Sequence, residues 1–281
     1  MEIIVAKSAG FCFGVSNAVK TVYNLIENHD KDSIYTFGHI IHNPQVVEFL
    51  ESKGVKSVDD IDSISQKGHI VIRAHGVTPE IYEKICNKGL ILEDATCPYV
   101  KKIHTLVKEK YEEGYRIIIV GDKNHPEVIG INGWCNNSAY IVNSAKDAEN
   151  LAATDEKVCV VAQTTITKET WDTTNEVIKN KFKNITKFDT ICSATSKRQN
   201  EAAEIAKQVD LMIIIGGKES SNTQKLYDIC KKYCNNTYKV ETTGDLPPVD
   251  IKKVKKIGIS AGASTPDWVI EEVIKKMSEL N

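Results

Sequence analysis

Three cysteines in this chain share one setting: each follows a short apolar run and opens a segment with helical periodicity. They are Cys12 in AGFCFGVSNAV, Cys97 in DATCPYVKKI and Cys192 in DTICSATSKRQ. The first two are 85 residues apart and the next two 95. Three thiolates brought to one point are one short of the four that usually hold a cubane iron–sulfur cluster. A [4Fe–4S] cluster held in that way keeps one iron open, able to serve an exogenous ligand as Lewis acid and electron donor. Zinc bound by three Cys and a water is the competing reading; it supplies no electrons and would make the site hydrolytic or structural. The other five, Cys86, Cys135, Cys159, Cys230 and Cys234, read as small buried apolar residues. No CxxC pair occurs, which weighs against a zinc ribbon or a thioredoxin-type site.

Polar residues recur with the same regularity. Four positions beyond Gly38, Gly121 and Gly216 stand His42, His125 and Ser220, opening HNPQVVEFLESKG, HPEVIGINGW and SSNTQKLYDICKKY. A second set follows the apolar runs HIVIRAHG, KVCVVAQTT and KIGISAGAS: His75, Thr164 with Thr165, and Ser264. Imidazole, hydroxyl and amide donors at helix N-termini suit an anion with several oxygens, such as a diphosphate. His42, His75, His125, Thr164, Ser220, Ser221, Asn222 and Ser264 are therefore the candidate substrate-binding residues. Lys123 and Lys218 are the nearest cations, so hydrogen bonds and helix ends must do most of the binding. Glu127, two residues after His125, is the candidate catalytic acid. An ionised carboxylate would repel a diphosphate, so the pocket would favour its protonated form, which could donate to a departing hydroxyl. A first-turn Glu complementing the helix dipole is the plainer alternative. His29, His39, His69 and His104 read as structural. Neither GxGxxG nor GxxxxGK[ST] occurs, and SAGAS is only a weak echo of a phosphate loop.

Apolar runs such as SIYTFG, RIIIVG and LMIIIGG alternate with helical stretches, which implies parallel sheets built from βαβ units. In such sheets the loops leaving the carboxyl ends of the strands form the ligand crevice, and every polar residue named above falls on one. The repeat divides the chain into three α/β modules, 13–96, 97–191 and 192–281. The runs LILEDAT and ITKFDTI close the first two and carry the next cysteine; the third lacks such a run. The N-terminal residues 1–12, with EIIVAK and Cys12, are expected to supply it. The expected fold is α/β: three similar βα modules with small parallel sheets, pseudo-threefold around a central iron–sulfur cluster.

With 281 residues, 41% hydrophobic and 26% charged, the chain can bury a substantial core. A net charge of −2 argues against a nucleic-acid binder held by phosphate contacts. No run of 18 apolar residues occurs, and Met1 leads into EIIVAKSAG without a signal-peptide stretch. The reading is a cytoplasmic monomer without membrane contact, its cysteines thiols or metal ligands rather than disulfides.

Taken together, GFCFGV, HNPQVV, AHGV, DATCP, NHPEV, QTT, ICSAT, SSN and SAGAS occur in an order that covers essentially the whole chain. In that ordered set the sequence closely resembles the 4-hydroxy-3-methylbut-2-enyl diphosphate reductase family. The resemblance implies a [4Fe–4S] cluster on Cys12, Cys97 and Cys192, and diphosphate contacts from His42, His75, His125, Ser220, Ser221, Asn222 and Ser264. It makes Glu127 the proton relay, with Thr164 helping to place substrate and water. The implied reaction is the last step of the methylerythritol phosphate route of isoprenoid biosynthesis, yielding isopentenyl and dimethylallyl diphosphates. Its electrons come from a ferredoxin- or flavodoxin-type donor. A hydro-lyase with an open cluster iron, or a non-enzymatic iron–sulfur sensor, would leave the aligned anion-binding turns without a purpose.

Overall fold

The computed structural model describes residues 1–29, 33–248 and 254–279. Its fold is α/β, with three four-stranded parallel sheets. The six longest apolar runs form the central strands: β2 (Ile34–Phe37), β4 (His69–Ile72), β6 (Arg116–Val120), β8 (Val158–Ala162), β10 (Leu211–Ile215) and β12 (Lys256–Ala261). Most of their residues are buried, because helices cover both faces of a parallel sheet; they therefore read as unbroken runs rather than alternations. Outside them lie β5 (Ile91–Asp94), β9 (Ile185–Lys187) and β1 (Glu2–Val5), and on the opposite edges β3 (Lys56–Val58), β7 (Tyr140–Val142) and β11 (Thr237–Val240). Strand order is the same in each sheet: β3-β2-β4-β5, β7-β6-β8-β9 and β11-β10-β12-β1. The N-terminal strand fills the fourth position of the last sheet, with Glu2 opposite Lys256 and Val5 opposite Ile259.

Helices α1 (Phe13–Asn28), α4 (Pro98–Glu112) and α8 (Ser193–Ala206) each begin one residue after a candidate cysteine ligand. Helices α2 (Pro44–Ser52), α5 (Pro126–Gly133) and α9 (Ser221–Lys231) follow the first central strand of each sheet. Helices α3 (Pro79–Asn87), α7 (Lys168–Lys181) and α10 (Asp267–Glu279) follow the second. The five-residue α6 (Ala145–Glu149) completes the set. Central strands pair so that their ends are level: Phe37 faces Ile72, Val120 faces Ala162 and Ile215 faces Ala261. Within each sheet the two loops carrying the polar residues therefore start level with one another. The N–H groups of Gly38, Gly121 and Gly216 donate to the carbonyls of Val58, Val142 and Val240 at 2.7, 2.8 and 2.9 Å. This bond ties each first loop to the end of its edge strand.

The chain divides into two compact units, Met1–Ser16 with Ile41–Glu48 and Ser193–Asn281, and Asn17–Ile40 with Phe49–Cys192. In the second unit Ile117, Ile119, Val161 and Cys159 pack with Ile103, Val107, Val128 and Ile131. In the first, Met212, Ile214, Ala202, Cys230 and Cys234 form one core and Ile213, Ile257, Ile259 and Val273 another. Each fully buried Ile or Val contributes about 1.5–3 kcal/mol. Burial pushes the thiols of Cys159 and Cys230 up to about 12, which keeps them protonated and inert. Cys86 departs from the expected burial. It follows the inward-facing Ile85 on α3, and the 100° step of the helix turns it to solvent.

Candidate functional site

Cys12, Cys97 and Cys192 are outside any disulfide and partly exposed, whereas Cys135, Cys159, Cys230 and Cys234 are buried. Their backbones are held alike. Cys12 N–H donates to Ala263 O at 3.2 Å, Cys97 N–H to Ala74 O at 3.0 Å and Cys192 N–H to Thr164 O at 3.0 Å. Each acceptor lies two residues beyond the end of β12, β4 or β8. One backbone device thus fixes each cysteine at the carboxyl end of its own sheet, directly before a helix. Three accessible thiols in matched settings form a soft donor set that suits iron–sulfur or zinc chemistry.

In the unit containing Asn17–Ile40 and Phe49–Cys192, His125 caps α5, its Nδ1 accepting the Glu127 N–H at 3.1 Å. Acceptance at Nδ1 sets the tautomer in which Nε2 bears the hydrogen. The ring of His75 meets it edge-on, with centroids 5.3 Å apart. Glu127 is only 2% exposed. Its carboxylate accepts Thr164 N–H at 2.6 Å and Thr164 Oγ–H at 2.7 Å. Thr164 therefore does two jobs: its carbonyl fixes Cys192 and its two donors fix Glu127. Gln163 supports this loop, donating from Nε2 to Thr165 Oγ1 at 2.8 Å and accepting Asp122 N–H at 3.0 Å. Behind His75, Trp134 Nε1–H donates to Val77 O at 3.1 Å and stacks on His104. Gly76, with φ of +71°, lies so close to His104 that a Cβ would sit 2.5 Å from the ring. His104 is structural.

In the other unit Ser220 caps α9, its oxygen accepting Thr223 N–H at 3.3 Å. Asn222 is buried, and neither atom of its side-chain amide has a hydrogen-bond partner among the described residues. A buried amide left unmet costs about 1–3 kcal/mol, so a ligand or water is its natural complement. Ser264 Oγ–H donates to His42 O at 3.2 Å, and a Cβ on Gly217 would lie 2.6 Å from that same carbonyl. The bare glycine permits this approach. His42 does not itself cap α2: Asn43 does, accepting Val46 N–H at 3.1 Å, and the helix starts at Pro44. Asn43 is 2% exposed. An Asn before Pro is a readable cap signal that the four-residue spacing from Gly38 obscures. Lys218, a cation near Ser220, points its Nζ to Asp245 at 3.7 Å.

The family model described as LytB protein matches residues 3–278. A protein from Thermoanaerobacter sp. (strain X514), named 4-hydroxy-3-methylbut-2-enyl diphosphate reductase, is 51% identical over 279 residues, covering 99% of this chain and 96% of that protein. One of the same name from Clostridium perfringens (strain 13 / Type A) is 51% identical over 283 residues, with 99% of each chain covered. The solved structure of the E-1-hydroxy-2-methyl-but-2-enyl-4-diphosphate reductase from Plasmodium falciparum gives a TM-score of 0.92 at 33% identity, over 98% of this chain and 87% of that one. A solved (E)-4-hydroxy-3-methyl-but-2-enyl diphosphate reductase, described as the terminal enzyme of the non-mevalonate pathway, gives 0.72 at 43% identity, covering 99% and 100%. With its length matched by the family model and its three parallel sheets by a solved reductase, the chain belongs to the LytB protein family and is an oxidoreductase enzyme.

Proposed function

We propose that this chain reductively dehydroxylates (E)-4-hydroxy-3-methylbut-2-enyl diphosphate, the final step of the methylerythritol phosphate route. Two electrons and two protons are consumed; the C–O bond breaks, the hydroxyl leaves as water, and isopentenyl or dimethylallyl diphosphate forms. Cys12, Cys97 and Cys192 would hold one [4Fe–4S] cluster. When bound, it supplies an open iron as Lewis acid and passes electrons singly from a ferredoxin- or flavodoxin-type donor. The observation that carries this reading is the matched N–H···O bond at all three cysteines, which treats them as one set apart from the buried thiols.

The remaining chemistry falls to side chains. His42, His75, His125, Ser220, Ser221, Asn222 and Ser264 bind the diphosphate by hydrogen bonds, with the unmet amide of Asn222 as a ready donor. Hydroxide is a poor leaving group because it is a strong base. Glu127 supplies the proton that makes it water. Thr164 N–H can only donate and engages Oε1, so a protonated Glu127 carries its hydrogen on Oε2, facing Thr164 Oγ. The threonine hydroxyl can then accept that proton and pass on its own. A second proton added to either end of the allyl fragment gives the two products.

The test is anaerobic purification, iron and sulfide analysis, and turnover with a reduced donor. Iron and sulfide matching one [4Fe–4S] cluster per chain, with reductant-dependent loss of the hydroxyl, supports the reading. Changing any one of the three cysteines to Ser should deplete the iron. Zinc in place of iron, or turnover that needs no reductant, overturns it.

A further inference from the structure

The three cysteine loops differ in what stiffens them. Three residues before Cys97, Asp94 Oδ1 accepts the Thr96 N–H at 3.0 Å; three before Cys192, Asp189 Oδ1 accepts the Ile191 N–H at 3.2 Å. The matching position before Cys12 is Ala9, which has no acceptor. This loop is also the longest, running from the end of β1 at Val5 to Cys12. It needs an outside brace.

Helix α8 provides one. Glu201 accepts Lys7 N–H at 2.9 Å through Oε1, and both Ser8 N–H at 2.9 Å and Ser8 Oγ–H at 2.5 Å through Oε2. One turn earlier on the same face, Arg198 donates from Nε to Ser8 O at 2.8 Å and from Nη2 to Gly10 O at 2.7 Å. Arg198 is 3% exposed, so its guanidinium is held inside the fold against this loop. Its planar fork fixes two carbonyls at once, which a lysine cannot do. Beyond it Gly10 takes a φ of +95°, and a Cβ there would lie 2.8 Å from Asp267 Oδ1. The chain then reaches the Cys12–Ala263 bond.

We infer that Arg198 and Glu201 are positioning residues for the sulfur of Cys12, replacing from α8 the local aspartate that steadies the other two cysteines. The inference rests on the proposed role of Cys12 as a cluster ligand and adds two residues to that reading. Its physical content is differential: loss of the brace should free Cys12 and leave Cys97 and Cys192 held by their own aspartates.

The experiment reads thiol reactivity and iron release in the full-length chain. In the cluster-free protein, Arg198→Met and Glu201→Ala should each raise the iodoacetamide alkylation rate of Cys12 several-fold relative to Cys97 and Cys192 of the same molecule, scored by mass spectrometry. In the reconstituted protein, release of iron to an anaerobic chelator should quicken by about tenfold, as expected from losing charged hydrogen bonds. Arg198→Lys should recover little, because one ammonium cannot bridge both carbonyls; Glu201→Gln, which keeps one acceptor, should be intermediate. These two variants carry the test if the truncations fail to fold. Equal acceleration at all three cysteines, or none at Cys12, overturns the inference. A wild-type chain that takes up no cluster defeats the proposed function instead, and the alkylation arm still reports on the brace.

Discussion

Lowering the pH from 7 to 5 should cost the fold about 2 kcal/mol at a single side chain, His104. The ring lies on the inner face of α4, 3% exposed and stacked on Trp134 with centroids 5.2 Å apart. Burial drives its pKa down from the ordinary 6.5 to about 4; the Asp94 carboxylate pulls it up, and the Lys101 ammonium pushes it down again. Those two charges largely cancel in their own ion pair at 2.7 Å, so burial decides. Between 6.5 and 4 the unfolded chain takes up a proton that the folded chain refuses. Stability is thus fully present above 6.5 and lost as the pH falls toward 4, by about 3 kcal/mol over the whole interval. At pH 5 about 2 kcal/mol of that is already gone, whereas at pH 7 the loss is only about 0.2 kcal/mol. Urea unfolding of wild type and His104→Leu at both pH values isolates the contribution, since every other group titrates in both proteins. Wild type should lose about 2 kcal/mol more than the variant between pH 7 and pH 5. Parallel losses would refute the argument that this imidazole is held neutral by burial.

Three further perturbations address the loops. Glu127→Gln keeps an oxygen for the Thr164 N–H and a shape that fits, so folding should survive while turnover falls by about 10²–10⁴-fold in an anaerobic assay. Asn222→Ala removes a buried amide with no partner among the described residues; urea unfolding should show unchanged or slightly higher stability, while KM for the diphosphate rises. Gly10→Ala forces a side chain into the left-handed region and against Asp267, so thermal unfolding should report a loss of about 1–3 kcal/mol.

What the sequence made legible is what burial writes into it. Runs such as VCVVA and LMIII are covered on both faces, and their continuity marks central strands of parallel sheets. The edge strands KSV, YIV and TYKV left no comparable trace, because three or four residues with a partly exposed side carry little hydrophobic pattern. Their consistent mark is a glycine N–H donating to the last carbonyl of each, a bond between distant residues that no local pattern announces. The candidate site divides similarly. Cys12, Cys97, Cys192, His125 and Ser220 stand at loop-to-helix junctions the spacing located; Asn43 rather than His42 caps α2, a one-residue difference that periodicity does not resolve. Arg198 meets Ser8 and Gly10 across about 190 residues of chain, and nothing near it in sequence points there.

The repeats are alike in backbone and unlike in side chain, and this division bears on where the proposed proton chemistry would reside. Each cysteine is fixed by a carbonyl, from Ala74, Thr164 or Ala263, so the side chain at that position is free to vary without moving the sulfur. Two residues beyond the helix caps Asn43, His125 and Ser220 stand Gln45, Glu127 and Asn222. Of these only Glu127 is ionisable, and Thr164 sets a hydroxyl against it. Gln45 spends its amide on Glu241 O at 3.0 Å, and Asn222 keeps both amide atoms unmet. The equivalent position thus carries a structural tie at Gln45, a hydrogen-bonded carboxyl at Glu127 and an unmet amide at Asn222. Exchanging the acid into another repeat should fail to restore turnover to Glu127→Gln, because Ala74 and Ala263 have no hydroxyl to carry the proton onward. Rescue by Asn222→Asp in that background, measured as reductant-dependent turnover, would show that the threonine is dispensable and that position alone confers the role.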